Sequence, residues 1–166
     1  MASETRVADL ACRLFDILKR RKLSIVTAES CTAGKMANCL SQVPGASEHL
    51  HGGFVTYTKA NKTKALGVSS ELLSRRGAVC GEVAVAMAEG ALLRSPASLA
   101  VSITGVAGPE SDEDGNPVGL VCIAVARHGQ PSFHLEKNYS DIGHEAVTAR
   151  AIEDALAEVI RIVEGD

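Results

Sequence analysis

The chain has 166 residues, 46% of them hydrophobic and 22% charged, which suits one globular domain spanning residues 1–166 with a sizeable core. With aromatic residues at 3%, no Trp and a formal net charge of -3, it lacks the stacking platform of a single-strand binder and any general attraction for phosphate backbones or anionic lipid. Five scattered cysteines without C-x-x-C spacing suggest neither a disulfide framework nor a zinc site. The charged, helix-patterned N-terminus has no secretory h-region, and no apolar run reaches the roughly 20 residues of a membrane span. The expectation is a cytoplasmic protein with no nucleic-acid and no membrane partner.

In chain order, Val7, Leu10, Ala11, Leu14, Ile17 and Leu18 recur at helical spacing and predict an amphipathic helix. Leu23 to Ala28 read as a short strand, and Thr32 to Val43 as a helix stopped by Pro44-Gly45. Gly53 to Tyr57 are strand-like, and the helix formers of KANKTKALGV follow. Ser69 or Ser70 can cap the short helix SELLSRR, which Gly77 closes. Glu82 to Arg94 predict a buried helix and SLAVSITG a strand, whereas VAGPESDEDGNP is a loop. Val118 to Arg127 and Ser132 to Tyr139 form an expected antiparallel hairpin around His128-Gly129-Gln130-Pro131. A last helix starts at Asp141 or Gly143, with an apolar stripe from Ala146 to Ile160. This order predicts a three-layer α/β/α sandwich on a mixed, mostly parallel sheet that contains the C-terminal antiparallel hairpin. The wide apolar helix faces lead us to expect a homo-oligomer.

TAESCTAG, residues 27 to 34, sits where a strand gives way to a helix, the place where sites form in such sheets. Spacing alone reads Ser30 or Thr32 as a helix cap and Cys31 as a buried, inert thiol. A Ser on that turn could also attack a substrate while nearby N–H groups hold an oxyanion. Such a Ser needs a base. The five histidines, His49, His51, His128, His134 and His144, read as solvated positions without a triad signature. Lys62 would be a solvated cation on a helix unless burial or neighbouring charge makes it neutral. SITGVAGP, Ser102 to Pro109, could offer backbone N–H groups to an oxyanion, although it is neither a Walker loop nor a G-x-G-x-x-G turn.

Taken together and in this order, TAESCTAG, GGFVTYTKANKTKALGV, SITGVAGPE and PVGLV closely resemble the CinA C-terminal domain family, whose characterised members are nicotinamide-nucleotide amidases. The likeness runs from about Val7 to Ile160. It implies a Ser-Lys-Tyr group of Ser30 as nucleophile with Lys62 and Tyr57, acting on nicotinamide mononucleotide through an acyl-enzyme, with no metal and no organic cofactor. It further implies substrate contacts at Glu29, Cys31, Thr32, Gly34, Thr104, Gly105, Ala107 and Gly108. Two places depart from the family pattern. Ala33 stands where a second Gly is usual, and Asp141 to Thr148 replace a Gly-Asp-Arg segment, leaving His144 and Arg150 as substitutes for cations that would meet a phosphate. A second expectation from the resemblance is a non-catalytic member that binds a nucleotide or partner in competence or DNA-damage responses.

Overall fold

Helix α1 (Ala2–Arg21) leads into strand β1 (Ile25–Glu29), which is buried at every position in the computed structural model, a structure that describes residues 2–165. The continuous apolar run that predicted this strand is explained by its neighbours. β1 lies between β2 (Leu50–Val55) and β3 (Leu99–Gly105) and pairs in parallel with both. β4 (Leu120–Arg127) then pairs antiparallel with β3, and β5 (Phe133–Asn138) antiparallel with β4. The sheet order is β2-β1-β3-β4-β5, so β4 alone runs against the other four strands.

Side-chain size decides which helices cover which face. Leu99, Val101 and Ile103 of β3, with Val121, Ile123 and Val125 of β4, point toward α1, α2 (Lys35–Ser41) and α6 (His144–Glu164). The opposite face presents Ala28, Ala100, Ala124 and Ala126 to α3 (Lys59–Leu66), α4 (Ser70–Arg76) and α5 (Gly81–Leu93). Small residues on both sides let α5 lie close to the strands, where the buried Ser102 hydroxyl donates to the Ala84 carbonyl at 2.6 Å. Gly90 likewise lets α5 lie close to the end of α3, because a Cβ there would run into the Leu66 carbonyl oxygen. Both apolar clusters flank one sheet, which gives the expected three layers.

Local boundaries differ in instructive ways. Ser69 caps α4 by accepting the Leu72 N–H at 3.2 Å, and Gly77 closes that helix. The helix expected from Thr32 begins only at Lys35, because Ala33 at φ 48 and Gly34 at φ 91 occupy left-handed backbone. β2 stops at Val55, two residues before the predicted end, since Thr58 is already the N-cap of α3. Each shift frees a side chain from regular structure at the carboxyl end of β1, where a cleft opens.

Candidate active site

The sheet delivers Ser30 to this cleft. Its N–H donates to the Ile103 carbonyl at 2.9 Å, extending the β1–β3 ladder by one residue, and the chain then turns sharply. Neither Ser30 nor Thr32 caps α2, contrary to the reading from spacing. Glu29 does so: its carboxylate accepts the N–H groups of Gly34, Met36 and Ala37 at 3.0, 3.1 and 2.8 Å, and the hydroxyls of Thr27 and Thr32 at 3.2 and 2.7 Å. A buried carboxylate is tolerated here because these donors and the amino end of the helix surround it. Glu29, Thr32 and Gly34 are therefore engaged with one another behind the cavity wall and are not part of its lining.

Lys62 comes from the first turns of α3, which Thr58 starts by accepting the Asn61 N–H at 3.1 Å. Only 1% of Lys62 is exposed, and its Nζ lies 2.8 Å from Ser30 Oγ and 2.9 Å from the Thr56 carbonyl. The solvated helix face expected from its charged neighbours is thus incorrect. No carboxylate pairs with this amine among the described residues. Burial pushes its pKa down from 10.5 to about 8, the Lys59 charge adds to that, and Cys31 opposes it. An amine so placed is neutral in a useful fraction near neutral pH and lies within proton-transfer distance of a hydroxyl.

Cys31 also lines the cavity, but burial pushes its thiol up to about 12. A thiol with that pKa stays protonated and is a poor nucleophile. Tyr57 stands on the cavity wall with 64% of its surface exposed and makes no hydrogen bond among the described residues. Thr104, Gly105, Ala107 and Gly108 of the β3 exit line the opposite wall, and the Thr104 hydroxyl donates to the Ala78 carbonyl at 2.8 Å. The cavity measures about 520 Å³.

The backbone donors can be counted. From Ser30 to Gly34, Ser30 donates to Ile103, Ala33 to the Ser30 carbonyl and Gly34 to Glu29. The N–H groups of Cys31 and Thr32 are directed at the Cys31 sulfur, where they partly offset the burial of that thiol, so neither is a free donor. On the facing loop, Val106 N–H is taken by the Leu120 carbonyl, and those of Ala107 and Gly108 meet no acceptor among the described residues. Two backbone groups of this kind are what an oxyanion requires.

Sequence reasoning missed the acidic side of the cavity. Glu110, Asp112, Glu113 and Asp114 line it, and Lys59 Nζ reaches across to Glu113 at 3.0 Å and Asp114 at 2.6 Å. The Lys59 ammonium holds the Asp114 carboxyl below its usual value. The density of acids in ESDEDGN was a signal, but nothing local says that this loop folds back over α3. Of the cations considered for a phosphate, His144 lines the cavity, whereas Arg150 lies off it on the exposed side of α6. His49 corrects the picture of solvated histidines, being half-buried with Nδ1 2.9 Å from the Leu23 carbonyl, while the other four are exposed. No group of three or more His, Cys, Asp or Glu side chains among the described residues is placed to hold a metal ion, and no described helix is long and apolar enough to cross a membrane.

Comparison with known proteins agrees with the fold. The model of the CinA C-terminal domain matches residues 7–163. A protein of Pseudomonas putida named nicotinamide-nucleotide amidohydrolase PncC is 39% identical over 156 residues, 94% of this chain and 96% of its own. A CinA-like protein of Chloroherpeton thalassium is 50% identical over 111 residues, and this chain spans 26% of its length. Among solved structures, the competence/damage inducible protein CihA of Agrobacterium tumefaciens superposes with a TM-score of 0.91 at 39% identity, covering 95% of each chain.

Proposed function

The chain belongs to the CinA C-terminal domain family, and from that premise we propose that it hydrolyses the carboxamide of nicotinamide mononucleotide to nicotinate mononucleotide and ammonia. The observation that carries the reading is the 2.8 Å contact between Lys62 Nζ and Ser30 Oγ, made by an amine whose pKa is lowered to about 8. The name of the Pseudomonas relative supplies the substrate.

In this scheme neutral Lys62 removes the Ser30 hydroxyl proton as Oγ bonds to the amide carbon, and the carbonyl π electrons move onto oxygen. The N–H groups of Ala107 and Gly108, on the loop that lines the cavity opposite Ser30, hold that oxyanion. Collapse of the tetrahedral adduct breaks the C–N bond, and the proton now on Lys62 passes to the departing nitrogen, directly or through the Tyr57 hydroxyl. Ammonia leaves and an acyl-Ser30 ester remains. Water adds to the ester, Lys62 again takes the proton, and Ser30 Oγ departs and is reprotonated. The scheme uses no metal and no organic cofactor.

The test is ammonia release from nicotinamide mononucleotide by wild type, Ser30→Ala and Cys31→Ala. Ser30→Ala is expected to lose at least about 10³-fold in kcat, and Cys31→Ala to stay within about tenfold of wild type because its thiol takes no part. Turnover by folded Ser30→Ala comparable to wild type would remove Ser30 as the nucleophile.

A further inference from the structure

We propose that Glu29 is a positioning residue for the nucleophile: its carboxylate closes the turn that carries Ser30 and so holds Oγ within reach of Lys62. Glu29 is not part of the cavity lining, so it acts through the backbone and not on the substrate. For the reaction that it serves, the inference rests on the amidase reading.

The distribution of its partners carries the inference. Oε2 accepts the Thr32 hydroxyl and the N–H groups of Gly34 and Met36, while Oε1 accepts the Thr27 hydroxyl and the Ala37 N–H. These partners lie on both sides of Ser30, in β1, in the turn and in α2. The chain from Glu29 to Gly34 is thereby closed into a ring, joined at one end by the peptide bond to Ser30 and at the other by the 3.0 Å bond from Gly34 N–H to Oε2. Inside the ring Ala33 N–H donates to the Ser30 carbonyl at 3.0 Å, and outside it Ser30 N–H is fixed on the Ile103 carbonyl. With its backbone tied in front and behind, Ser30 has one direction for its Cα–Cβ bond, and Oγ meets Lys62 Nζ at 2.8 Å. A cap for α2 alone does not call for this. That helix has seven residues, and a short polar side chain at its start would serve it without taking a carboxylate down to 1% exposure. All five partners are donors, and a carboxylate, whose two oxygens only accept, satisfies them together.

Glu29→Gln keeps the size of the side chain and one acceptor oxygen. With its NH2 group in the Oε1 position it retains Thr32, Gly34 and Met36, the Thr27 hydroxyl turns round to accept, and only the Ala37 N–H faces another donor. The variant is compared with wild type by ammonia release from nicotinamide mononucleotide, and by labelling of Ser30 with a small fluorophosphonate, in which Oγ bonds to phosphorus and fluoride leaves. A thermal melt confirms that it folds. We expect kcat to fall by about 30-fold with KM within about threefold of wild type, and the labelling rate to fall by about tenfold. The acid limb of the pH profile should stay at about pH 8, because Lys62 keeps its surroundings. Should Glu29→Gln not fold, Thr32→Val carries the test: it removes only the 2.7 Å hydroxyl contact and lowers kcat by about fivefold at unchanged KM. A kcat within about twofold of wild type in the variant that folds overturns the inference while the amidase reading stands. So does a loss confined to KM, which would put Glu29 on the substrate, or a limb displaced by more than about one pH unit, which would mean a loosened Lys62 pocket. If wild type takes the label but releases no ammonia, the amidase reading falls, and equal labelling rates in the two proteins would overturn the positioning role as well, whereas the tenfold loss would uphold it. Neither label nor ammonia from wild type removes both.

Discussion

Replacing Lys62 with Met tests the central electrostatic claim without relying on any substrate. Met keeps most of the apolar stem and removes the amine. The fall in pKa from 10.5 to about 8 corresponds, at about 1.4 kcal/mol per pH unit, to about 3 kcal/mol of unfavourable free energy for the charged form in the folded state. The sign follows from proton binding. Below pH 8 the amine is charged both folded and unfolded, and folding bears the whole penalty. Between pH 8 and 10.5 the folded protein has released the proton while the unfolded chain retains it, so stability rises with pH and the penalty is gone above that window. Lys62→Met abolishes the penalty at every pH but leaves the Thr56 carbonyl without its donor, a loss of about 1–2 kcal/mol; Ser30 borders the cavity and can turn to water. The variant is therefore expected to be more stable than wild type by about 1–2 kcal/mol at pH 7, and less stable by a similar amount near pH 10.5, while losing ammonia release entirely. Urea titrations of both proteins at pH 7 and near pH 10.5 measure this, with other titrations cancelling in the difference. A stability difference that is the same at both pH values would mean that Lys62 carries an ordinary amine pKa, and the base assignment would lose its physical support.

The same pKa governs turnover. Because the reactive amine is the neutral one, kcat/KM should rise about tenfold per pH unit up to about pH 8 and level off above it, and a flat profile from pH 6 to 9 would exclude Lys62 as the base. Ala33 sits exposed at φ 48, so Ala33→Gly should relieve more backbone strain than it adds in unfolded-state entropy, a gain of about 0.5–1 kcal/mol visible as a higher Tm by differential scanning calorimetry. A lower Tm would show that the turn depends on the Ala33 methyl. The Thr56 hydroxyl is buried with no hydrogen-bond partner among the described residues, and Lys62 uses only the carbonyl of that residue. Thr56→Val should accordingly raise stability by about 1 kcal/mol with ammonia release within about twofold of wild type, and a destabilised variant would reveal a donor or acceptor serving that hydroxyl.

Most of the architecture is legible in the sequence because periodicity and burial coincide. The alternation of large and small residues along SLAVSITG and LVCIAVAR anticipates two unlike faces, and the stripe on the last helix anticipates its packing against α1. Strand order is not legible, since nothing local in β2 says that it pairs with the far side of β1 instead of following β3. The site divides in the same way. TAESCTAG reveals a turn, but which oxygen caps α2 depends on Glu29, a strand residue that spacing assigns to the sheet. Lys62 is the sharper case. Its neighbours Lys59 and Lys64 and the polar sequence around it describe a wet helix face, and it is buried only because the segment after β2 turns back so that α3 leans over the carboxyl end of β1. Local composition cannot report a burial created by a chain crossing.

Part of the strain in this fold coincides with the candidate site. Much of the interior is built from aliphatic side chains and satisfied polar groups, such as Ser102 on the Ala84 carbonyl. Exceptions also occur away from the site, at His49 Nε2, which is buried without a partner among the described residues, and at the left-handed Lys22 and Ser140, but three lie around Ser30. They are a lysine buried without a counter-ion and a threonine hydroxyl without a partner among the described residues, and a left-handed alanine. Each is a destabilising choice that a stability-driven sequence would replace, and two of the three hold the Ser30–Lys62 contact directly: Lys62 supplies the amine and Thr56 the carbonyl that steers it. Relieving the lysine should remove chemistry, whereas relieving Thr56 or Ala33 should leave it intact. That separation distinguishes strain the reaction needs from strain that only accompanies the turn.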